Sequence, residues 1–338
     1  MGETMRALRL GERGLEFVRD APVPSPQPGE ALLRVRIAGI CATDLEMVAG
    51  YKAGFSGVLG HEFVGEVVDA NGDAPSGDGV SWIGRRAVGE INCGCGRCDL
   101  CRRGLAKHCQ SRQTLGIVGR DGVFADYVTI PLANLHAVPD GLPDERAVFA
   151  EPAAAALQAL VQVPITPADR VCVIGDGRLG LLIAQVVALT GCELCVIGRH
   201  EEKLALLNGW GIGNTLIAGA TSAAEIGIDA YDVAVEATGS EEGFRLAREL
   251  VRPGGTITLK STYAGKPPQF DLTSLVVDEV RIVGSRCGPF APAIRLIHEQ
   301  RIHVDELIHA RYSLDEALQA MTHAAQRGVL KVLLTTYS

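Results

Sequence analysis

The sequence predicts an α/β protein built from two unlike parts, a β-rich region followed by a doubly wound parallel sheet. Three observations carry this. Up to about residue 150 the chain is a series of short apolar or alternating segments cut by Gly and Pro. From about Ala153 the rhythm becomes strand, turn, helix, the pattern of a parallel sheet with helices on its faces. Gly175-x-Gly177-x-x-Gly180 then stands between the apolar run Arg170–Ile174 and an apolar helix pattern through Leu181, Ile183, Val186 and Val187.

Taken in order, strands are expected at Met5–Leu10, Ala31–Ile40, Phe63–Ala70, Arg86–Glu90, Phe124–Ile130 and Leu135–Pro139. Pro22, Pro24, Pro26 and Pro28 make a stiff connector, and Asn71–Gly79 reads as an exposed turn. The second part offers strands at Arg170–Ile174, Glu193–Ile197, Thr215–Ile217, Tyr231–Val235, Gly255–Leu259 and Arg281–Val283. In this strand–turn–helix context the three glycines are a dinucleotide fingerprint. They permit a tight turn and bring a pyrophosphate to the helix N-terminus, where unsatisfied N–H groups favour an anion. The last stretch, about Pro289 to Ser338, has helical patterns at Ala291–Gln300 and Leu314–Arg327, and Ser313 with Glu316 makes a capping box for the second.

Composition bounds the function. The chain has 338 residues, enough for two cores, and 47% hydrophobic content with 40 glycines suits an α/β protein rich in tight connections. Lys and Arg total 32 against 40 Asp and Glu, a formal charge of −8, which disfavours nucleic acid and anionic membranes as partners. Residues 1–10 lack the apolar core of a signal peptide, and no run reaches the roughly 18–20 apolar residues of a bilayer span. A cytoplasmic enzyme is the expectation, in a compartment that keeps thiols reduced.

Four of the ten cysteines form one run, Cys95-x2-Cys98-x2-Cys101-x7-Cys109. Two-residue gaps let neighbouring sulfurs converge on one tetrahedral zinc, and Gly94, Gly96 and Gly104 supply the bends. Cys93 stands beside the run as a bystander. A second set comprises Cys41, His61, Glu62 and Glu151. A thiolate, an imidazole and one or two carboxylates can hold zinc while leaving a position open.

These segments, in this order, resemble the zinc-containing medium-chain dehydrogenase/reductase superfamily, the alcohol, polyol and threonine dehydrogenases. Cys41-Ala42-Thr43-Asp44 is similar to the family's first-ligand motif, Gly60-His61-Glu62 through Gly65 to its zinc signature, and Cys95 to Cys109 to its structural-zinc lobe (93–109). Asp121-Gly122-Val123-Phe124-Ala125-Asp126-Tyr127, Glu151-Pro152, Arg252-Pro253-Gly254-Gly255 and Lys331-Val332 extend the likeness over nearly the whole chain.

The resemblance implies a GroES-like β-barrel catalytic domain at 1–152 and 289–338, and a Rossmann domain at 153–288. It also implies two zincs per chain and a nicotinamide cofactor. Zinc activates an alcohol for hydride transfer to the nicotinamide, and the reverse path reduces a ketone or aldehyde. Thr43 would relay the proton, although Thr43-Asp44-Leu45-Glu46 also scans as a helix cap. Where many relatives carry His three residues later, this chain has Glu46. Either Glu62 or Glu151 can supply the carboxylate ligand, and Glu at 151 points to polyols, sugars and amino alcohols.

Two alternatives stay open at this point, an alkene (enal or enone) reductase of the same superfamily and a non-catalytic dinucleotide-binding sensor. Relatives are homodimers or homotetramers joined through the Rossmann sheet. The polar loop Lys260–Tyr263 hints at a hydroxylated or charged substrate.

Cofactor choice turns on the end of the second Rossmann strand. A carboxylate there accepts the adenosine ribose hydroxyls and selects NAD. This chain has Gly198, followed by Arg199 and His200. Arg199, with Lys203 one helical turn on, can pair with a 2′-phosphate, so NADP is favoured over NAD. Leu179, Thr238 and Ser285 complete the expected cofactor contacts.

Overall fold

The computed structural model describes residues 2–51, 54–72, 81–263 and 271–337. Its chain separates into two units, Met1–Glu151 with Val304–Ser338, and Pro152–His303.

The first unit is built of strands β1 (Thr4–Gly11), β2 (Gly14–Pro22), β3 (Glu30–Gly39), β4 (Gly57–Val58), β5 (Glu62–Asn71) and β6 (Arg86–Gly89). It continues with β7 (Asn92–Cys93), β8 (Gln113–Leu115), β9 (Gly119–Arg120), β10 (Tyr127–Pro131) and β11 (Leu135–Ala137). Alternation makes these strands. In β3 the side chains of Ala31, Leu33, Val35 and Ile37 are buried while those between are half-exposed, as one wet face requires. The strand orders are β2-β1-β4, β7-β8-β9, and a larger sheet containing β11-β6-β5-β3 with β10 also on β3. Short helices α1 (Ala42–Val48), α2 (Asp99–Arg102) and α3 (Asp144–Ala147) fill the connections. Strand β2 runs where the sequence showed no strand and a proline connector from Pro22. All its residues are at least partly exposed, so it lacks the apolar alternation that marks a core strand.

Helix α4 (Ala150–Gln162) leads into the second unit, a six-stranded parallel sheet ordered β14-β13-β12-β15-β16-β17. Its strands are β12 (Arg170–Ile174), β13 (Glu193–Gly198), β14 (Thr215–Ile217), β15 (Tyr231–Glu236), β16 (Val251–Leu259) and β17 (Arg281–Gly284). The helices are α5 (Arg178–Ala188), α6 (Glu201–Gly209), α7 (Ala223–Ile226), α8 (Glu241–Leu250), α9 (Leu272–Val277) and α10 (Phe290–His298). The order reverses direction at β12, so the crevice outside the ends of β12, β13 and β15 is a topological switch point. Val171–Ile174, Cys195–Ile197 and Val233–Val235 are buried, the mark of strands covered on both faces.

The tail then returns through β18 (Ile308–Ser313), helix α11 (Ala317–Ala324) and β19 (Lys331–Thr335). β19 pairs antiparallel with β3, and β18 pairs parallel with β19. The return begins at Val304 and not at the expected 289. The stretch between stays with the second unit because its packing is there. A Cβ on Gly288 would meet the Ala154 carbonyl oxygen at 1.9 Å, and the Gln185 side chain holds both N and O of His303 at 2.6 and 3.0 Å. The Ser313–Glu316 box is present, but it caps a 3-10 turn (Leu314–Glu316) from which α11 continues only to Ala324. Most of the expected Asn71–Gly79 turn lies outside the described residues. Among those described, no helix is long and apolar enough to cross a membrane.

Candidate functional site

Helix α1 begins where β3 ends. Cys41 is its N-cap residue, and Asp44, three positions on, returns its carboxylate to the Cys41 backbone N–H at 2.8 Å. The other Asp44 oxygen takes the Gly60 N–H at 3.2 Å and lies 3.3 Å from Nδ1 of His61. One fully buried carboxylate thus ties α1 to the entry of β5 and orients the imidazole. Burial alone would depress the proton affinity of His61, but the Asp44 charge overrides it and raises it well above the ordinary value.

Cys41, His61 and Glu62 bring a sulfur, a ring nitrogen and a carboxylate oxygen within 4.8 Å of one another. Cys41 is half-buried and the other two are buried. This donor set fits zinc, because one thiolate, one imidazole and one carboxylate leave a fourth position for water or substrate. Glu151, half-buried near the start of α4, lies outside that 4.8 Å group. Thr43 is half-buried in the first turn of α1 and is not its cap. Its hydroxyl makes no hydrogen bond within the described residues. Glu62 also meets Lys331, a residue of β19 that is wholly buried. Sequence reasoning assigned no site role to Asp44 or Lys331. The available signals were spacing for Asp44, three residues past the cysteine, and for Lys331 a lone charge in an apolar strand.

Cys95, Cys98, Cys101 and Cys109 form the second cluster, again with all four sulfurs within 4.8 Å, and the Cys98–Cys109 pair at 3.8 Å. Gly96 and Gly104 adopt left-handed φ of 71° and 73°, which lets the chain fold back twice in ten residues. N–H groups of Arg97 and Cys98 pull the Cys95 thiol down to about 6, while desolvation and neighbouring sulfurs push Cys101 up to about 11. Four crowded thiols deprotonate together only around a cation, and the closed set of four suits a structural zinc. All ten cysteines are free. Cys93 is buried in β7 and belongs to neither cluster.

In the second unit the glycine-rich turn has the shape a dinucleotide needs. Helix α5 starts at Gly177 with no side-chain cap, so its first N–H groups face outward. Gly175 has φ 124°, and a Cβ on Gly180 would meet the Gly175 carbonyl at 2.1 Å. A cavity of about 290 Å³ opens there, lined among others by Gly175, Asp176, Gly177, Gly198, Arg199 and Thr238. Leu179, Gly180, Lys203 and Ser285 do not line it. Thr238 is fixed by buried Glu236, which also accepts the Tyr263 hydroxyl at 2.8 Å. Ser285 is held by Lys260 at 3.2 Å, and the same ammonium reaches the Ala155 and Arg286 carbonyls at 2.5 and 2.9 Å. The polarity of Lys260 and Tyr263 is therefore used inside the unit and is no pointer to a substrate.

One residue changes the reading of the strand end. Asp176 is buried, and its Oδ2 accepts the N–H groups of Arg199 and His200, each at 2.6 Å, and Nδ1 of His200 at 2.9 Å. Burial would raise this carboxyl, but these donors hold it below its usual range.

Residues 27–140 match the model of the alcohol dehydrogenase GroES-like domain, and residues 179–299 that of the zinc-binding dehydrogenases. The chain is 30% identical to a sorbitol dehydrogenase of Halalkalibacterium halodurans, covering 98% of this chain and 99% of that one. Among solved structures it resembles a zinc-binding dehydrogenase of Sinorhizobium meliloti bound to NADP. That pair has a TM-score of 0.89 at 29% identity, over 98% and 99% of the two chains. An Escherichia coli alcohol dehydrogenase in complex with NADH superposes with a TM-score of 0.88 at 26% identity, over 99% and 100%.

Proposed function

The chain belongs to the zinc-containing medium-chain dehydrogenase/reductase superfamily and is a zinc-dependent, NAD(P)-dependent alcohol dehydrogenase acting on CH–OH groups; from that premise we propose that it interconverts a secondary alcohol of polyol, sugar or amino-alcohol type with its ketone, preferring NADP(H). The observation that carries the reading is the Cys41–His61–Glu62 cluster, half-buried at the cysteine and buried at the other two. Similarity to an enzyme named for sorbitol supports the polyol class.

Cys41 and His61 would hold the catalytic zinc, with Glu62 or Glu151 as the carboxylate. When bound, the metal polarises the substrate oxygen and the nicotinamide carries the hydride. The Asp44 charge, 3.3 Å from Nδ1, would favour a proton there and leave Nε2 for the metal. The Thr43 hydroxyl would take the proton leaving the substrate oxygen and release its own to solvent. Cys95, Cys98, Cys101 and Cys109 hold a second zinc that maintains the lobe. Arg199, on the cavity rim, supplies the positive charge for the 2′-phosphate, and Lys203, buried one helical turn on, adds to the field. Arg199 is exposed, and neither cation has an ion-pair partner among the described residues.

Metal analysis of the purified protein should find two zincs per chain. Cys41→Ser should lose turnover across a panel of polyols and amino alcohols while still binding NADPH. Cys98→Ser should lose one zinc and unfold at lower temperature, because a closed site contributes folding free energy. A single zinc in the wild type, or an active Cys41→Ser enzyme, would refute the assignment.

A further inference from the structure

The strand-end carboxylate absent from position 198 is present in space. A Cβ built on Gly198 would lie 2.6 Å from the Asp176 Cβ and 2.7 Å from its Oδ2, so this side chain fills the volume that a residue-198 side chain would take. The glycine at 198 is what admits it. Oδ2 is saturated by three donors, two backbone and one imidazole. Because the carboxylate only accepts, the His200 Nδ1 must carry the proton. Nε2 of His200 is enclosed and has no partner among the described residues, so this ring acts through Asp176. That grip fixes the carboxylate plane. Oδ1 receives no donor from the described residues, although the side chain is nine-tenths buried and lines the 290 Å³ cavity with Gly175, Gly177 and Arg199.

We propose that Asp176, carried on the glycine-rich turn, is the residue that lets this enzyme use NAD(H) alongside NADP(H), by accepting the adenosine ribose hydroxyls on Oδ1. The inference rests on the dinucleotide assignment above and divides the cavity rim into two determinants. The carboxylate serves a free ribose diol, and the unpaired Arg199 guanidinium serves a 2′-phosphate. A phosphate at the 2′ position removes one hydroxyl donor and brings a like charge toward Asp176. This residue therefore restrains the NADP(H) preference that Arg199 creates.

The test titrates the zinc-loaded protein with NADH and NADPH by nicotinamide fluorescence, which needs no knowledge of the alcohol. Asp176→Asn keeps an acceptor for the three donors but loses the charge. NADH affinity should fall on the order of ten- to a hundredfold, the range of a charge-assisted hydrogen bond, with NADPH unchanged or tighter. The double variant Asp176→Gly/Gly198→Asp returns the carboxylate to the strand end and should restore NADH binding. Equal losses for both cofactors in Asp176→Asn, or undiminished NADH affinity, would overturn the proposal. A wild type that binds NADH more tightly than NADPH would instead refute the NADP(H) preference and leave the Asp176 test standing.

Discussion

Lys331 sits in the run Leu330-Lys331-Val332-Leu333-Leu334 with no exposed surface, and its partner Glu62 is 269 residues away. Its ammonium also lies 5.3 Å from the centre of the Phe149 ring. Taking both ions out of water is costly, and their close approach offsets part of it. Lys331→Met removes the ammonium that faces the buried Glu62 carboxylate. The expected loss is about 3–5 kcal/mol of stability while no metal shares the Glu62 charge, measured as a lower urea midpoint before zinc is loaded at that cluster. Lys331→Met/Glu62→Gln should recover most of it. A single variant as stable as the wild type would show that Glu62 is neutralised by other means. At this scale the sequence displays ligand types well and their support poorly. Cys41, His61 and Glu62 are legible because few other roles need those types together. Lys331 and Asp176 are not, since each is defined by a partner that only the fold brings near.

The β12–turn–α5 element shows the opposite balance, because the glycine spacing contains its own geometry. Gly180 packs the first turn of α5 against the turn leaving β12, and a methyl group there would meet a backbone oxygen at 2.1 Å, with no flexible side chain to move aside. Gly180→Ala should therefore displace the α5 N-terminus. A stability loss of about 1–3 kcal/mol is expected, with weaker binding of NADH and NADPH alike. Calorimetry and the same fluorescence titration would check both, and unchanged affinity for either cofactor would show that the turn tolerates the shift. Equal effects on both cofactors also separate this substitution from Asp176→Asn. The central strands β12, β13 and β15 could be read in advance because burial on both faces writes an apolar run into each. β2 could not, since Gly14–Pro22 has no fully buried residue and its charged side chains obscure any alternation.

At the scale of the molecule, local sequence says least. The passage of the chain out of the second unit at Val304 is fixed by contacts of Gly288 and His303 with residues more than a hundred positions earlier, and no residue at 289 or 304 announces it. Assembly is a similar case. β17 ends the six-stranded order, with one neighbour, β16, so its outer N–H and C=O groups have no strand partner among the described residues. In α9, the helix that precedes it in the chain, Leu272, Val276 and Val277 are 67, 76 and 73% exposed, and Ile282 of β17 is 38% exposed. An edge strand that follows a helix with three bare aliphatic side chains is an aggregation hazard unless it is covered. A second copy can cover it through a two-fold axis, because an edge strand pairs antiparallel with its own image and the patches meet reciprocally. The protein should accordingly have the mass of at least two chains by light scattering. Val276→Asp/Ile282→Arg, which places charges on that face without touching either metal cluster, should halve that mass or reduce it to one chain. Both zincs should remain bound. A wild type with the mass of one chain, or a double variant of undiminished mass, would exclude this edge as the contact.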